Sequence, residues 1–225
     1  METIELFSGS KSFSNVRKEF GDQTFTVDYI EKFNNDLTID ILKLKCTQLP
    51  DYEDVLWASP PCTTFSVASI GTHWEGGKNS YEPKTEACKI GLAILEKTIK
   101  IISIRKPKYY YIENPRGVMR KVIDKLFKKY SLTPVRHTIW YCQYGDIRGK
   151  PTDIWTNNLN WIPKPVCKNY KYDSKGNIIN KHCHHESARR GAKTGTQGLK
   201  NDFFRSSIPR ELFLELRKSE LKDLK

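Results

Sequence analysis

The chain has 225 residues, 38% of them hydrophobic and 28% charged, with no run near the roughly 20 apolar residues of a membrane span. That mixture argues against a membrane protein and against a disulfide-stapled miniprotein, and it allows one buried core with a small appendage. The net charge of +12, from 38 Lys and Arg against 26 Asp and Glu, suits a polyanionic partner or serves solubility alone.

Met1-Glu2-Thr3 has no basic leader, so the chain reads as cytosolic and its six cysteines as reduced. Thr3 to Phe7 reads as a strand, with the small residues Ser8-Gly9-Ser10 as the turn after it. Phe13, Val16, Arg17 and Phe20 then give a helix that Gly21 closes. Thr24 to Ile30 alternates and is a second strand; Asp54 to Ala58 is another, running into Ser59-Pro60-Pro61. Residues 67–84 read as a polar, glycine-bearing loop, long enough to be a lid or a disordered segment. Ile90, Ile94, Ile101 and Ile102 stripe a helix over about 85–105. Tyr109 to Ile112 is a strand ending at Glu113-Asn114-Pro115, and Val118, Val122, Ile123, Leu126, Phe127 and Tyr130 mark an amphipathic helix. Strand signals follow near 132–141 and 151–156.

Strands alternating with helices imply an α/β domain with a mostly parallel sheet. Ligands of such sheets sit beyond the carboxyl ends of strands, so three turns should converge on one site: Ser8-Gly9, Pro60-Pro61-Cys62 and Glu113-Asn114-Pro115. The character changes after residue 160, because residues 161–205 carry ten Lys and Arg against three acidic residues and few apolar runs. Ser207-Ile208-Pro209 starts a last helix, with Leu212, Phe213 and Leu216 on one face. The expected division is a domain over 1–157, a basic segment over 158–205 and a C-terminal helix over 206–225 that packs back on the domain.

The sharpest motif is Ser59-Pro60-Pro61-Cys62-Thr63-Thr64-Phe65-Ser66, directly after a strand. Two prolines fix the backbone on the approach to a cysteine, which suits an aimed nucleophile better than an inert thiol. With the Glu113-Asn114 pair at the end of the next strand and Phe7-x-Gly9 at the end of the first, the chain resembles the DNA cytosine-5 methyltransferases. Pro61, Cys62 and Ser66 match that family's Pro-Cys-x-x-x-Ser loop; Phe7 and Gly9 match part of its Phe-x-Gly-x-Gly.

The resemblance implies a Rossmann-like S-adenosylmethionine-dependent fold and methyl transfer to carbon 5 of a cytosine flipped out of double-stranded DNA. It implies Cys62 as the nucleophile at carbon 6 and Glu113 as the acid at the ring's N3 edge, with Asn114 and Ser66 beside them. A cysteine adds readily and leaves again, once its proton is removed. The cofactor would lie against Phe7, Ser8, Gly9, Ser10 and Pro60, with Asp28 at the ribose hydroxyls, Asp40 near the adenine and Lys11 at the cofactor carboxylate. Lys11 and Ser12 stand where the family usually has glycines. The family's Gln-x-Arg-x-Arg element is altered to Tyr144-Gly145-Asp146-Ile147-Arg148-Gly149-Lys150, where Arg148 and Lys150 touch phosphates, orient Glu113, or are solvated. Cys167 with His182, Cys183, His184 and His185 forms a group that could bind a structural zinc, or a histidine cluster that contacts DNA. Two other readings stand beside DNA methylation: the same chemistry on RNA, and a catalytically silent DNA-binding protein on this fold. The compact build suggests a monomer from a virus or a restriction–modification setting, with a short recognition site.

Overall fold

The two most buried strands explain the architecture. β4 (Val55–Ala58) is buried at all four positions and β7 (Tyr109–Pro115) at its first six. Continuous burial is what central strands need when helices cover both faces of a sheet. The computed structural model describes residues 1–77, 80–167, 170–172, 174–175, 178–181 and 206–224. In chain order the elements are β1 (Glu2–Leu6), α1 (Ser12–Lys18), β2 (Gln23–Asp28), β3 (Leu37–Thr38), β4, α2 (Ile70–His73), β5 (Trp74–Gly77) and β6 (Ser80–Pro83). Then come α3 (Glu86–Arg105), β7, α4 (Met119–Lys129), β8 (Val135–Trp140), β9 (Pro151–Thr156), β10 (Tyr170–Tyr172), β11 (Ile178–Lys181) and α5 (Arg210–Glu220).

Seven strands form one sheet in the order β3-β2-β1-β4-β7-β9-β8. The first five run parallel; β9 is antiparallel to both of its neighbours. Leu6 pairs with Ala58, and Ala58 with Ile112, so β1, β4 and β7 end side by side. Chain order reverses between β1 and β4, which is where a ligand crevice opens in such sheets.

Side chains alternate between the two faces. Ile4, Leu6, Leu56, Ala58, Tyr110 and Ile112 pack under α3 and α4. Val55, Trp57, Tyr109 and Tyr111 pack with Phe13 and Val16 of α1 and Leu212, Phe213 and Leu216 of α5. Trp57 and Phe213 meet edge to face at 4.9 Å, and each such buried side chain stabilises the fold by about 1.5–3 kcal/mol. α5 is held to the domain by a buried ion pair, Arg17 Nη1 to Glu220 Oε2 at 2.6 Å, and by the Tyr111 phenol donating to Glu220 Oε1 at 3.0 Å. Breaking such a pair costs about 3–5 kcal/mol, because it strands a buried charge.

The described residues of 67–84 carry regular structure in place of the expected loop. They form α2 and an antiparallel hairpin, with Trp74 opposite Pro83 and Gly76 opposite Tyr81. Trp74 is the reason: it is buried against Phe65 and Tyr81, and its indole N–H donates to the Thr64 carbonyl at 2.6 Å. One aromatic anchor outweighs the flexibility of its glycine-bearing surroundings. In the basic segment, β10 and β11 pair antiparallel. Among the described residues no helix is long and apolar enough to cross a membrane.

Candidate active site

After β4 the chain turns through Ser59-Pro60-Pro61 into Cys62, and Phe65 N and Ser66 N both donate to the Cys62 carbonyl, at 3.0 and 3.1 Å. One helical turn therefore closes just beyond the thiol. The loop is pinned along its length. Asn114 Nδ2 donates to the Pro60 carbonyl at 2.8 Å, and Val118 N to the Phe65 carbonyl at 2.8 Å. Trp57 Nε1 donates to Ser59 Oγ at 2.8 Å, and Ser66 Oγ lies 3.0 Å from Ser69 Oγ. Phe65 is buried in the core. Cys62 itself is exposed, so a fixed backbone presents an accessible sulfur. Gly117 permits this approach: a Cβ there would lie 2.1 Å from the Phe65 carbonyl oxygen.

Cys62 opens onto a pocket of about 170 Å³, lined also by Glu5, Phe7, Ser8, Gly9, Ser10, Ser59, Pro60, Pro61, Glu113, Lys150, Ser206 and Ile208. The three strand-end turns thus converge. Phe7 and Pro61 also line a smaller pocket of about 60 Å³, whose other walls include Asp28, Ile39, Asp40, Ile41 and Ile94. Asp28 accepts from Gly9 N at 2.9 Å and from Ile30 N at 3.0 Å, which ties the turn after β1 to the end of β2. Lys11 is turned elsewhere: its ammonium donates to the Asn34 carbonyl at 2.7 Å.

The turn after β1 alternates in handedness, with Phe7, Gly9 and Lys11 at φ of 61, 44 and 57°. The turn is held by its own backbone: Ser8 N donates to the Val27 carbonyl at 3.1 Å and Lys11 N to the Ser8 carbonyl at 2.6 Å. Lys11 takes the left-handed conformation at the place where the family's second glycine stands, and it does so at a cost of about 1–2 kcal/mol for a residue with a Cβ. Beneath the turn, Glu5 accepts from Phe13 N at 3.2 Å and Ser14 N at 2.9 Å, capping α1. Burial pushes its carboxyl up to about 7, against the opposing effect of those N–H bonds.

Glu113 is 5% exposed, and its Oε1 accepts from the Tyr141 phenol at 2.9 Å. Arg148 pairs with Asp146, donates to the Ser207 carbonyl at 2.8 Å and lies 5.5 Å from the Tyr141 ring centre. The residues that sequence reasoning overlooked are Glu5, Gly117, Tyr141, Ser206 and Ile208; the last three come from beyond β8 and carry no local signal. Cys167 is partly exposed, while His182, Cys183, His184 and His185 lie outside the described residues. Among the described residues no three His, Cys, Asp or Glu side chains gather as a metal site.

The profile of the C-5 cytosine-specific DNA methylase family matches residues 1–132. The chain is 30% identical over 169 residues to the "Probable DNA (cytosine-5)-methyltransferase" of frog virus 3 (isolate Goorha), covering 73% of this chain and 74% of that protein. It is 28% identical over 123 residues to the type II methyltransferase M.Bsp6I of Bacillus sp. (strain RFL6), covering 54% of this chain and 35% of that enzyme. The Entamoeba histolytica methyltransferase EhMeth shares the fold, with a TM-score of 0.56 at 12% identity, over 100% of this chain and 99% of that one. More than half of the sequence fits the family's profile, its strand-end turns meet in one pocket, and this chain belongs to the C-5 cytosine-specific DNA methylases.

Proposed function

We propose that this chain methylates carbon 5 of cytosine in double-stranded DNA, with Cys62 as nucleophile and Glu113 as acid. The observation that carries the reading is that both side chains line one pocket, next to the turn after β1. Carbon 5 is a poor nucleophile until a thiolate adds at carbon 6. Cys62 Sγ forms that bond while Glu113 gives a proton to the N3 edge, so no full charge builds on the ring. The electron pair released at carbon 5 takes the methyl group. Solvent water takes the carbon 5 proton, its electron pair re-forms the ring double bond and expels Cys62 as thiolate, and N3 returns its proton to Glu113.

The two adjoining pockets suit the cofactor. Asp28 and Asp40 beside Ile39, Ile41 and Ile94 fit a ribose diol and a flat purine; the small-residue turn Ser8 to Ser10, which lines the Cys62 pocket, leaves room for the amino-acid end. When bound, S-adenosylmethionine supplies the methyl group as an electrophilic sulfonium. Asn114 keeps Pro60, and with it Cys62, in place. The basic segment over 158–205 would hold DNA phosphates and offset part of the few kcal/mol needed to flip the base.

Duplex DNA of random sequence, incubated with labelled cofactor and then sequenced, should carry 5-methylcytosine in a short shared motif. The same duplex with 5-fluorocytosine should trap the protein covalently, and Cys62→Ala should abolish both results. Label confined to RNA would move the substrate and keep the chemistry. Transfer retained by Cys62→Ala would overturn the mechanism.

A further inference from the structure

Glu113 already has one oxygen engaged inside the protein. Tyr141 begins the turn after β8, and its phenol donates to Glu113 Oε1 at 2.9 Å in a buried contact. The tyrosine is held from both ends: Tyr141 N donates to the Lys150 carbonyl at 3.2 Å, and Asp146 N to the Tyr141 carbonyl at 3.2 Å. Two cations lie against its ring, Lys150 Nζ at 4.9 Å and Arg148 Cζ at 5.5 Å from the centroid. Burial, and after it the Glu113 charge, pushes the phenol well above its ordinary pKa, so it stays an O–H donor at every working pH. In its protonated form, a carboxyl that accepts this bond at one oxygen has the other oxygen for its proton.

We infer that Tyr141 is a positioning residue for methyl transfer: its hydrogen bond to Oε1 leaves Oε2 to present the proton to the N3 edge of cytosine. This rests on the reading of Glu113 as the acid. The proton leaves Oε2 for N3 as the bond from Cys62 Sγ to carbon 6 forms, and it returns when that bond breaks. Tyr141 keeps its own proton throughout. As Glu113 becomes anionic, the bond at Oε1 becomes charge-assisted, so the phenol stabilises the carboxylate as the proton departs.

The test is Tyr141→Phe, which removes one oxygen and keeps the ring between its cations. Turnover should fall roughly 10- to 100-fold, the value of a charge-assisted hydrogen bond, with KM for DNA and cofactor within about threefold of wild type. In a Glu113→Gln background the same change should cost less than about threefold, because the two residues act as one unit. Equal losses in both backgrounds, or a change in KM alone, would reduce Tyr141 to a packing residue. A second readout needs no activity: the carboxyl carbon resonance of Glu113, assigned by its loss in Glu113→Gln, should move in Tyr141→Phe at constant pH. An unmoved resonance overturns the inference. Absence of transfer by wild type on DNA and RNA alike would overturn the functional reading instead, whatever the resonance does.

Discussion

Gly117→Ala places one methyl group against the nucleophile loop. The new Cβ would lie 2.1 Å from the Phe65 carbonyl oxygen, 3.1 Å from its carbon and 3.5 Å from Ser66 Cα. Ordinary contact requires something to move by more than about 1 Å. The glycine's side of the contact is held: Arg116 N donates to the Pro151 carbonyl at 2.9 Å, and Val118 is buried in the core. Phe65 is buried too, so strain falls on the turn that begins at Cys62. The bond from Val118 N to the Phe65 carbonyl should break, and a buried amide without a partner costs about 1–3 kcal/mol. Overpacking of this kind destabilises a core by a similar 1–3 kcal/mol.

The effect on chemistry should be larger than the effect on folding. A displacement of about 1 Å in a reacting group costs on the order of 10²-fold in rate. Turnover and the rate of covalent trapping by 5-fluorocytosine should therefore both fall on the order of 100-fold. Cofactor affinity should stay within about threefold, since the turn after β1 is untouched. Gly71→Ala is the control, because nothing lies within 4 Å of a Cβ there. Single-turnover transfer below the melting temperature of both variants decides the matter. Turnover of Gly117→Ala within threefold of wild type would refute the claim that this glycine sets the position of Cys62.

Three further outcomes are expected. Glu5 is raised to about 7 in the folded chain from an ordinary 4.5, so the stability it contributes is full below about pH 4.5 and is lost as pH rises through 7. Glu5→Gln should remove a decline of up to about 3 kcal/mol between those limits, and parallel denaturation curves at pH 5 and pH 8 would show that burial is not governing this group. Lys11→Gly should stabilise by about 0.5–1 kcal/mol through relief of its left-handed backbone, whereas Lys11→Ala should not; equal melting temperatures would mean that the conformation costs nothing. If the cysteines and histidines between 167 and 185 bind zinc, elemental analysis of protein purified without chelator should find about one equivalent per chain, and Cys167→Ser with Cys183→Ser should lower it.

The centre of this fold was legible because its constraints are local. Two prolines before Cys62, a tyrosine-rich strand before Glu113 and a small-residue turn after Leu6 each announce themselves within a few residues. The parallel sheet followed from their alternation with helices, and so did the meeting of the three turns. What stayed hidden depends on contacts far apart in sequence. Nothing in the local sequence marks Gly117 as the residue that the Phe65 carbonyl approaches. Tyr141 sits 28 positions from Glu113 and reaches it only because β8 and β9 fold back beside β7. Trp74 stands among polar neighbours in sequence, and only the fold shows its indole packed against Phe65 at the base of a strand pair.

The C-terminal residues show the same logic at longer range. The basic segment leaves the domain at Trp161, whose indole donates to Glu215 at 2.8 Å, and at Lys164, whose amide donates to the Tyr144 phenol at 3.0 Å. It comes back at Ser206 to Ile208, where Ser206 and Ile208 line the Cys62 pocket and the Ser207 carbonyl accepts from Arg148. α5 then fixes the return through Phe213 against Trp57 and Glu220 against Arg17. Both ends of the segment are therefore tied to one side of the domain, and one end forms part of the pocket wall. On the proposed reading, a nucleic acid bound by the segment would be kept near Cys62 by the covalent chain itself. Such tethering would raise the effective concentration of the substrate at the thiol without any further contact. Arg148 bonds the Ser207 carbonyl and lies against the ring of Tyr141, whose phenol donates to Glu113, so its contacts link the returning chain to that pair.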